Sequence, residues 1–331
     1  MAIVYATGTA TDQQDLLSQL DTYLQANGWT EDEWSVANKR LCVHKDTVYV
    51  QFRWDAVAAT GCIGVYHSLG YAGGSAPGAH PNDSGNGQTT ANPITTCRRI
   101  EALGNGAFTN FFIFGDSAIP YCHVVIEVTA GVFRHMSFGL ITKVGTWVGG
   151  EYCSVLDWYY SGVNQSNISY SSHSALFDAN NTSATNTETG TIHMEGMQNE
   201  GGTSKWGNIL NAAPASLGLD RATHTRYCVM GGMREGPLNN VLCAMAANPS
   251  NGFVAMHPIW LTYRDRSVTP ENHFFLGTVP GIRFINIMYL DPAEEFVVGS
   301  DTWKVFPWVK KQNLGGSNPE SKNMGIAYQK A

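Results

Sequence analysis

The feature of this 331-residue chain that most limits its fold is a two-residue apolar period. Val48, Val50, Phe52 and Trp54 alternate with Tyr49, Gln51 and Arg53, and successive side chains of an extended backbone point to opposite faces, so the spacing predicts a strand with one face in a core. Segments 63–66, 108–114, 121–129, 133–141 and 147–153 read as further strands, with Gly or Pro in each gap. Strand-like segments resume at 227–230, 253–264, 274–279, 282–290 and 303–309, and 324–328 reads as a closing edge strand. Short strands without alternating helices predict a mainly β fold: antiparallel β-sandwich-like domains, a short N-terminal amphipathic helix and long polar loops.

The helix signal comes first along the chain. Thr11 and Gln14 have capping-box spacing, and Leu16, Leu17, Leu20, Tyr23 and Leu24 fall on one helical face. Asn27-Gly28 ends the pattern with a natural left-handed residue, and Trp29 and Trp34 follow where they can fold back on the apolar stripe. So short a helix is marginal alone, and its stripe must dock on the body or on a neighbour. The sequence divides into an N-terminal helical segment (1–35), a first β-rich domain (36–160), a polar linker or excursion (161–190) and a second β-rich domain (191–331). Segment 70–93 is rich in Gly, Ser, Asn, Pro and Ala. It is expected to be a surface lobe or an arm that becomes ordered against a partner.

Charge is scarce. Asp, Glu, Lys and Arg make up 14% of the chain, against roughly 25% in an ordinary soluble domain. A surface of Asn, Ser, Thr and Gly in their place is expected to be largely covered by partners. A net charge of −7 argues against a nucleic-acid surface, since Arg98-Arg99 and Lys310-Lys311 read as isolated, solvated pairs. The seven cysteines (Cys42, Cys62, Cys97, Cys122, Cys153, Cys228, Cys243) include no C-x-x-C pair. They are expected to be buried, reduced thiols, and their odd number fits synthesis in a reducing cytoplasm. No stretch reaches the roughly 18 apolar residues expected of a membrane-spanning helix.

Candidate chemistry is fragmentary. Gly115-Asp116-Ser117 resembles the serine block of an esterase class, but Pro120 follows too soon for the helix of a nucleophile elbow. His193-x-Glu195 matches half of a zinc deaminase signature whose Pro-Cys-x-x-Cys half is missing. His123 and His257 sit in strand-like segments and read as packed imidazoles. The adjacent pairs Asp32-Glu33 and Glu294-Glu295 point in different directions and form no acid/base pair. Gly104-Asn105-Gly106 is a turn signal, and Asn164, Asn167 and Asn180 head glycosylation sequons that matter only on secretion. On this reading no residue is assigned a catalytic, cofactor-binding or metal-binding role.

Several phrases resemble a group of virion proteins of tailed bacteriophages. They are Ala6-Thr7-Gly8-Thr9-Ala10-Thr11-Asp12 with the Leu-rich helix ending in Asn27-Gly28-Trp29, Ser117-Ala118-Ile119-Pro120-Tyr121 running into Val124-Val125-Ile126, and Phe133-Arg134-His135-Met136-Ser137-Phe138-Gly139 followed by 147–152. Trp303-Lys304-Val305-Phe306-Pro307 and Gly325-Ile326-Ala327-Tyr328 continue the likeness in the same order. The chain departs from the pattern at Cys122-His123, where an aromatic pair is usual, and in 70–93. The resemblance implies a structural role in the virion after synthesis in the host cytoplasm. The expectation is a non-enzymatic component of the tail apparatus, at the baseplate or neck, in contact with other virion proteins and copies of itself but with no nucleic acid or membrane. The alternatives are a capsid decoration protein, a glycan-binding tail module using Trp158, Tyr159 and Tyr160, and, ranked last, a cell-wall hydrolase.

Overall fold

The computed structural model describes residues 2–55, 61–74, 80–81, 98–100, 106–155, 190–194, 206–211, 226–230, 254–265, 272–308, 311 and 324–331. In chain order the elements are β1 (Ile3–Ala10), α1 (Gln13–Ala26), β2 (Thr30–Ser35), β3 (Arg40–Lys45), β4 (Val48–Asp55), β5 (Cys62–Ser68), β6 (Arg98–Ile100), β7 (Phe108–Asp116), β8 (Tyr121–Thr129) and β9 (Val132–Leu140). They continue with β10 (Thr142–Lys143), β11 (Gly149–Val155), β12 (Gly190–Met194), β13 (Trp206–Asn211), β14 (Arg226–Met230), β15 (Met256–Asp265), β16 (Asn272–Asn286), β17 (Glu295–Val298), β18 (Asp301–Pro307) and β19 (Met324–Gln329). The protein is mainly β, as its period predicts. Its segment 161–189, like Cys97, Cys243 and most of the 70–93 loop, lies outside the described residues.

Two sheets hold these strands. A five-stranded sheet runs β2-β3-β4-β5-β6, and a 14-stranded sheet runs β1-β7-β8-β9-β11-β12-β13-β14-β15-β16-β19-β18-β17 with β10 paired to β16. Pairing is antiparallel except between β13 and β14, which are parallel. Only Ile141 separates β9 from β10, so the β10–β16 pair brings the run from β9 to β16 back to its starting strand. That closure needs Gly277 opposite Lys143. Its φ of +152° and the approach of the Thr142 carbonyl leave no room for a Cβ.

Strands β7, β8, β9 and β11 have apolar cover on both faces. Ile113, Val124, Ile126, Met136, Phe138 and Cys153 join Leu16, Leu20 and Leu24 of α1 and Val50, Phe52 and Ile63 of the five-stranded sheet in one core. Phe112, Phe114, Val125, Phe133 and Tyr152 join Ile282, Phe284, Phe306, Ile326 and Tyr328 in a second. Ring contacts mark both boundaries: Phe52 meets Phe138 edge-on at 5.4 Å, and Phe114 stacks on Tyr328 at 5.0 Å. Burial on two sides explains why these strands read as nearly continuous apolar runs, where a half-exposed strand alternates.

The one helix among the described residues is set by its ends. The cap is Asp12, one residue beyond the Thr11 expected from spacing; its side chain accepts the Asp15 N–H at 2.8 Å. Asp15 reaches back to the Thr11 N–H at 2.8 Å, which lowers its pKa, and a carboxylate near a helix start suits the dipole. At the far end Gly28 adopts φ +83°, the Gly28 N–H donates to Gln25 O and the Trp29 N–H to Leu24 O. This is the two-bond left-handed termination that Asn27-Gly28 predicts, with Trp29 and Leu24 meeting in the core. Segment 1–35 also carries β1 and β2, which its weak alternation did not announce. Cys42, Cys62, Cys122 and Cys153 are buried thiols outside any disulfide, and burial pushes the Cys122 thiol well up.

Leu20 is 1% exposed between α1 and the five-stranded sheet. Truncating it to Ala is expected to destabilise the fold by about 2–5 kcal/mol, the usual range for a core leucine. Denaturant unfolding of wild type and Leu20→Ala checks this.

Candidate functional site

The residues singled out by sequence fall in several places. Asp116 ends β7, where Oδ1 accepts the backbone N–H groups of Ala118 at 2.7 Å and Ile119 at 3.1 Å, forming a carboxylate-closed turn. The Ser117 carbonyl accepts from Lys45 Nζ at 2.7 Å, and the same ammonium donates to Asn27 O at 3.0 Å. Gly-Asp-Ser thus forms part of a clamp joining the helix end, β3 and the β7–β8 turn. His193 Nδ1 meets Glu151 Oε2 at 2.7 Å, while Glu151 Oε1 accepts from Thr47 Oγ1 at 2.6 Å. That buried contact ties β11 and β12 to the five-stranded sheet; Glu195 lies outside the described residues. Asp32 meets His44 at 2.9 Å and Glu33 meets Arg40 at 2.6 Å; β2 bulges between Glu31 and Glu33, so the adjacent acids engage the same face of β3 and do not diverge as expected, each held by its own basic partner. Trp158, Tyr159 and Tyr160, and the sequon residues Asn164, Asn167 and Asn180, lie outside the described residues.

The constellation that sequence reasoning missed is interior. His123 on β8 and His135 on β9 are wholly buried. His123 Nε2 is 2.8 Å from Pro280 O, which only accepts, so this nitrogen carries the proton and Nδ1 accepts from Ser137 Oγ at 2.7 Å. Ser137 having given its proton, the Tyr152 hydroxyl 3.2 Å away donates to it. By the same logic His135 Nε2–H donates to Pro307 O at 3.0 Å, and the Tyr328 hydroxyl donates to Nδ1 at 2.8 Å. Pro280 is free to accept because β16 bulges between Thr278 and Arg283 opposite Ile259. Burial lowers both histidines to about 4 and holds the Tyr152 and Tyr328 hydroxyls well above the phenolic range.

A serine hydroxyl bonded to an imidazole is the contact of a nucleophile and its base. Here both partners are 0% exposed, and the imidazole's second nitrogen is spent on a backbone carbonyl. What the pair does in this geometry is fasten β8, β9 and β11 to β16, while His135 fastens β9 to β18 and β19. A signal was present in the sequence: His123, His135 and Ser137 interrupt strongly apolar runs, and a polar residue buried in such a run requires a partner.

The surface differs at the two ends of the large sheet. Strand β1 ends it on one side, but α1 side chains occupy its carbonyls: Tyr23 Oη donates to Val4 O at 3.0 Å and Gln19 Nε2 to Thr9 O at 2.8 Å. Strand β17 ends it on the other side and pairs only with β18 among the described residues. Val297 is 67% exposed and Val298 42%. Lys330 lies over the Tyr5 ring and bonds Glu295 at 2.9 Å, so the two terminal strands lie near each other. Exposed Val144, Val148 and Trp260 add further apolar surface around the β10–β16 junction. Compared with known proteins, the chain matches no family model, and no curated protein matches its sequence.

The buried histidines make stability pH-dependent with a defined sign. Each has a folded pKa near 4, below its ordinary value of 6.5, so the unfolded chain binds protons first on acidification. Their contribution is complete above pH 6.5 and is lost as pH falls toward 4, at roughly 1.4 kcal/mol per unit for each group. Urea midpoints measured from pH 7.5 to 4.5 should fall steadily. In His123→Phe the midpoint starts lower at neutral pH and the slope on acidification is shallower.

Proposed function

We propose that this chain is a non-enzymatic structural component of a bacteriophage virion, built into the tail apparatus at the baseplate or neck. It acts by multivalent contact with other virion proteins and with copies of itself. In this reading the stacked sheets form a sandwich-like body and the amphipathic helix serves to close one side of it.

The observation that carries the reading is the β17 edge, which pairs only with β18 among the described residues, beside a covered β1 edge. An exposed terminal strand offers unpaired backbone groups to another chain, and soluble monomers usually blunt such edges with charge or cover. Here the exposed positions are Val297 and Val298, and the one acid on the strand, Glu295, is neutralised by Lys304 at 2.8 Å and Lys330 at 2.9 Å. The low charge of the whole chain, 14%, removes more of the repulsion between neighbours. The phrases shared with tailed-phage virion proteins support the same reading.

Cryo-EM of intact particles tests it directly, with a Val297→Lys variant as the functional arm. The substituted side chain is exposed, so the isolated chain should keep its stability within about 0.5 kcal/mol, while incorporation into particles fails. Absence of the chain from virions, full incorporation of the variant, or hydrolytic activity of the purified chain on phospholipid, ester or peptidoglycan substrates would overturn the proposal.

A further inference from the structure

Helix α1 meets the five-stranded sheet at one acid-on-acid contact. Glu31 on β2 pairs with Val43 on β3, and Val43 lies in the core with Leu16, Leu20 and Leu24 of the helix. Directly opposed residues share a face, so Glu31 stands on the helix side of the sheet. Glu33, past the bulge, is on the other side with Arg40. On α1, Asp21 and Gln25 are four residues apart and therefore neighbours on the helix surface. Gln25 Nε2 donates to Asp21 Oδ2 at 2.7 Å and to Glu31 Oε2 at 3.2 Å. One amide thus gathers two carboxyl groups, which are close enough to hydrogen-bond once a proton lies between them.

The contact is incomplete while both acids are ionised. Asp21 is 7% exposed, and its Oδ1 is buried without a donor among the described residues. An ionised carboxylate only accepts, so neither acid can serve the other. The elements around the pair bring no counter-charge. On α1, Asp15 is bonded to Thr11 near the opposite end, Tyr23 donates to Val4 O of β1, and the last turn holds no basic residue. On β1, Tyr5 packs against Phe114 in the second core. On β2, Asp32 is held by His44 and Glu33 by Arg40. On β3, Lys45 spends its ammonium on the Asn27, Asp116 and Ser117 carbonyls. The β4 residues in the core with the helix are Val48, Val50, Phe52 and Trp54, while Tyr49 stacks on His44.

A single proton completes the contact. On Glu31 it is the donor that Asp21 Oδ1 lacks, and it removes one of two adjoining charges. Partial burial raises the Glu31 pKa above its ordinary value of 4.5, and the bond to Asp21 and the Asp21 charge add to the rise. A carboxyl raised in the folded state contributes stability that is complete below pH 4.5 and is lost as pH climbs through the folded value. The sign is opposite to that of His123 and His135.

We infer that Asp21 and Glu31 form a proton-operated latch between α1 and β2: with one proton shared the helix is clamped to the sheet, and with none the two charges loosen it.

Hydrogen exchange of the full chain, corrected for the intrinsic effect of pH on exchange, follows opening of α1, while isotope-labelled carboxyl groups report the Glu31 titration by NMR. Between about pH 7.5 and about pH 5, protection of the α1 amides should rise severalfold in step with protonation of Glu31. In Asp21→Asn the new amide donates to Glu31 at every pH, so α1 should already be severalfold better protected at neutral pH and should no longer follow the titration. Glu31→Gln, at an exposed position, should do the same. The double variant should gain no more than either single one, because one neutral partner already relieves the repulsion. Protection that ignores pH in the wild type, wild-type pH dependence in Asp21→Asn, or additive gains in the double variant would overturn the latch. So would saturable protection of α1 by magnesium or calcium at neutral pH, which would make the link an ion instead of a proton.

Discussion

The rest of the structure depends on the double burial of β7, β8, β9 and β11. A strand with water on one face can let half its side chains find solvent, but the central residues of these strands have none to spare. A polar group there has to be answered from inside. That requirement explains the His123–Ser137–Tyr152 and His135–Tyr328 contacts, and it explains why their last acceptors are the Pro280 and Pro307 carbonyls on strands of the second core. The same requirement makes acid the natural destabiliser of this fold, because an imidazole enclosed between two cores has nowhere to put a charge.

Elements specified locally were legible in the sequence. The α1 stripe and the turn at Gly28 depend on residues within a few positions of each other, and both follow from local spacing alone. Only the cap shifted, from Thr11 to Asp12, because a carboxylate one residue along could take the Asp15 N–H. The period of two in 48–54 likewise identified β4 and its buried face. Interactions specified by pairing were not legible. Ser137 meets His123 through the β8–β9 register, and Gly277 meets Lys143 through a contact spanning 134 positions of sequence. No local pattern encodes such partners, and the parallel β13–β14 pair was invisible for the same reason.

A row of arginines in the five-stranded sheet is an instructive intermediate case. Arg40, Arg53 and Arg99 are each unremarkable in sequence, and charge counting spread them over an acidic chain with a net charge of −7. Pairing gathers the three positions in one row across the five-stranded sheet. Net charge thus describes how this chain meets solvent and neighbours, while register determines what a particular face can hold.

The cover that α1 places over β1 has a consequence for stoichiometry. A sheet with one open end accepts a single added strand and then stops, whereas a sheet open at both ends can propagate without limit. Tyr23 and Gln19, by occupying the Val4 and Thr9 carbonyls, keep the first condition in force. In the proposed assembly, fraying of this helix would bare a second edge, so helix docking would decide whether strand addition stops at one.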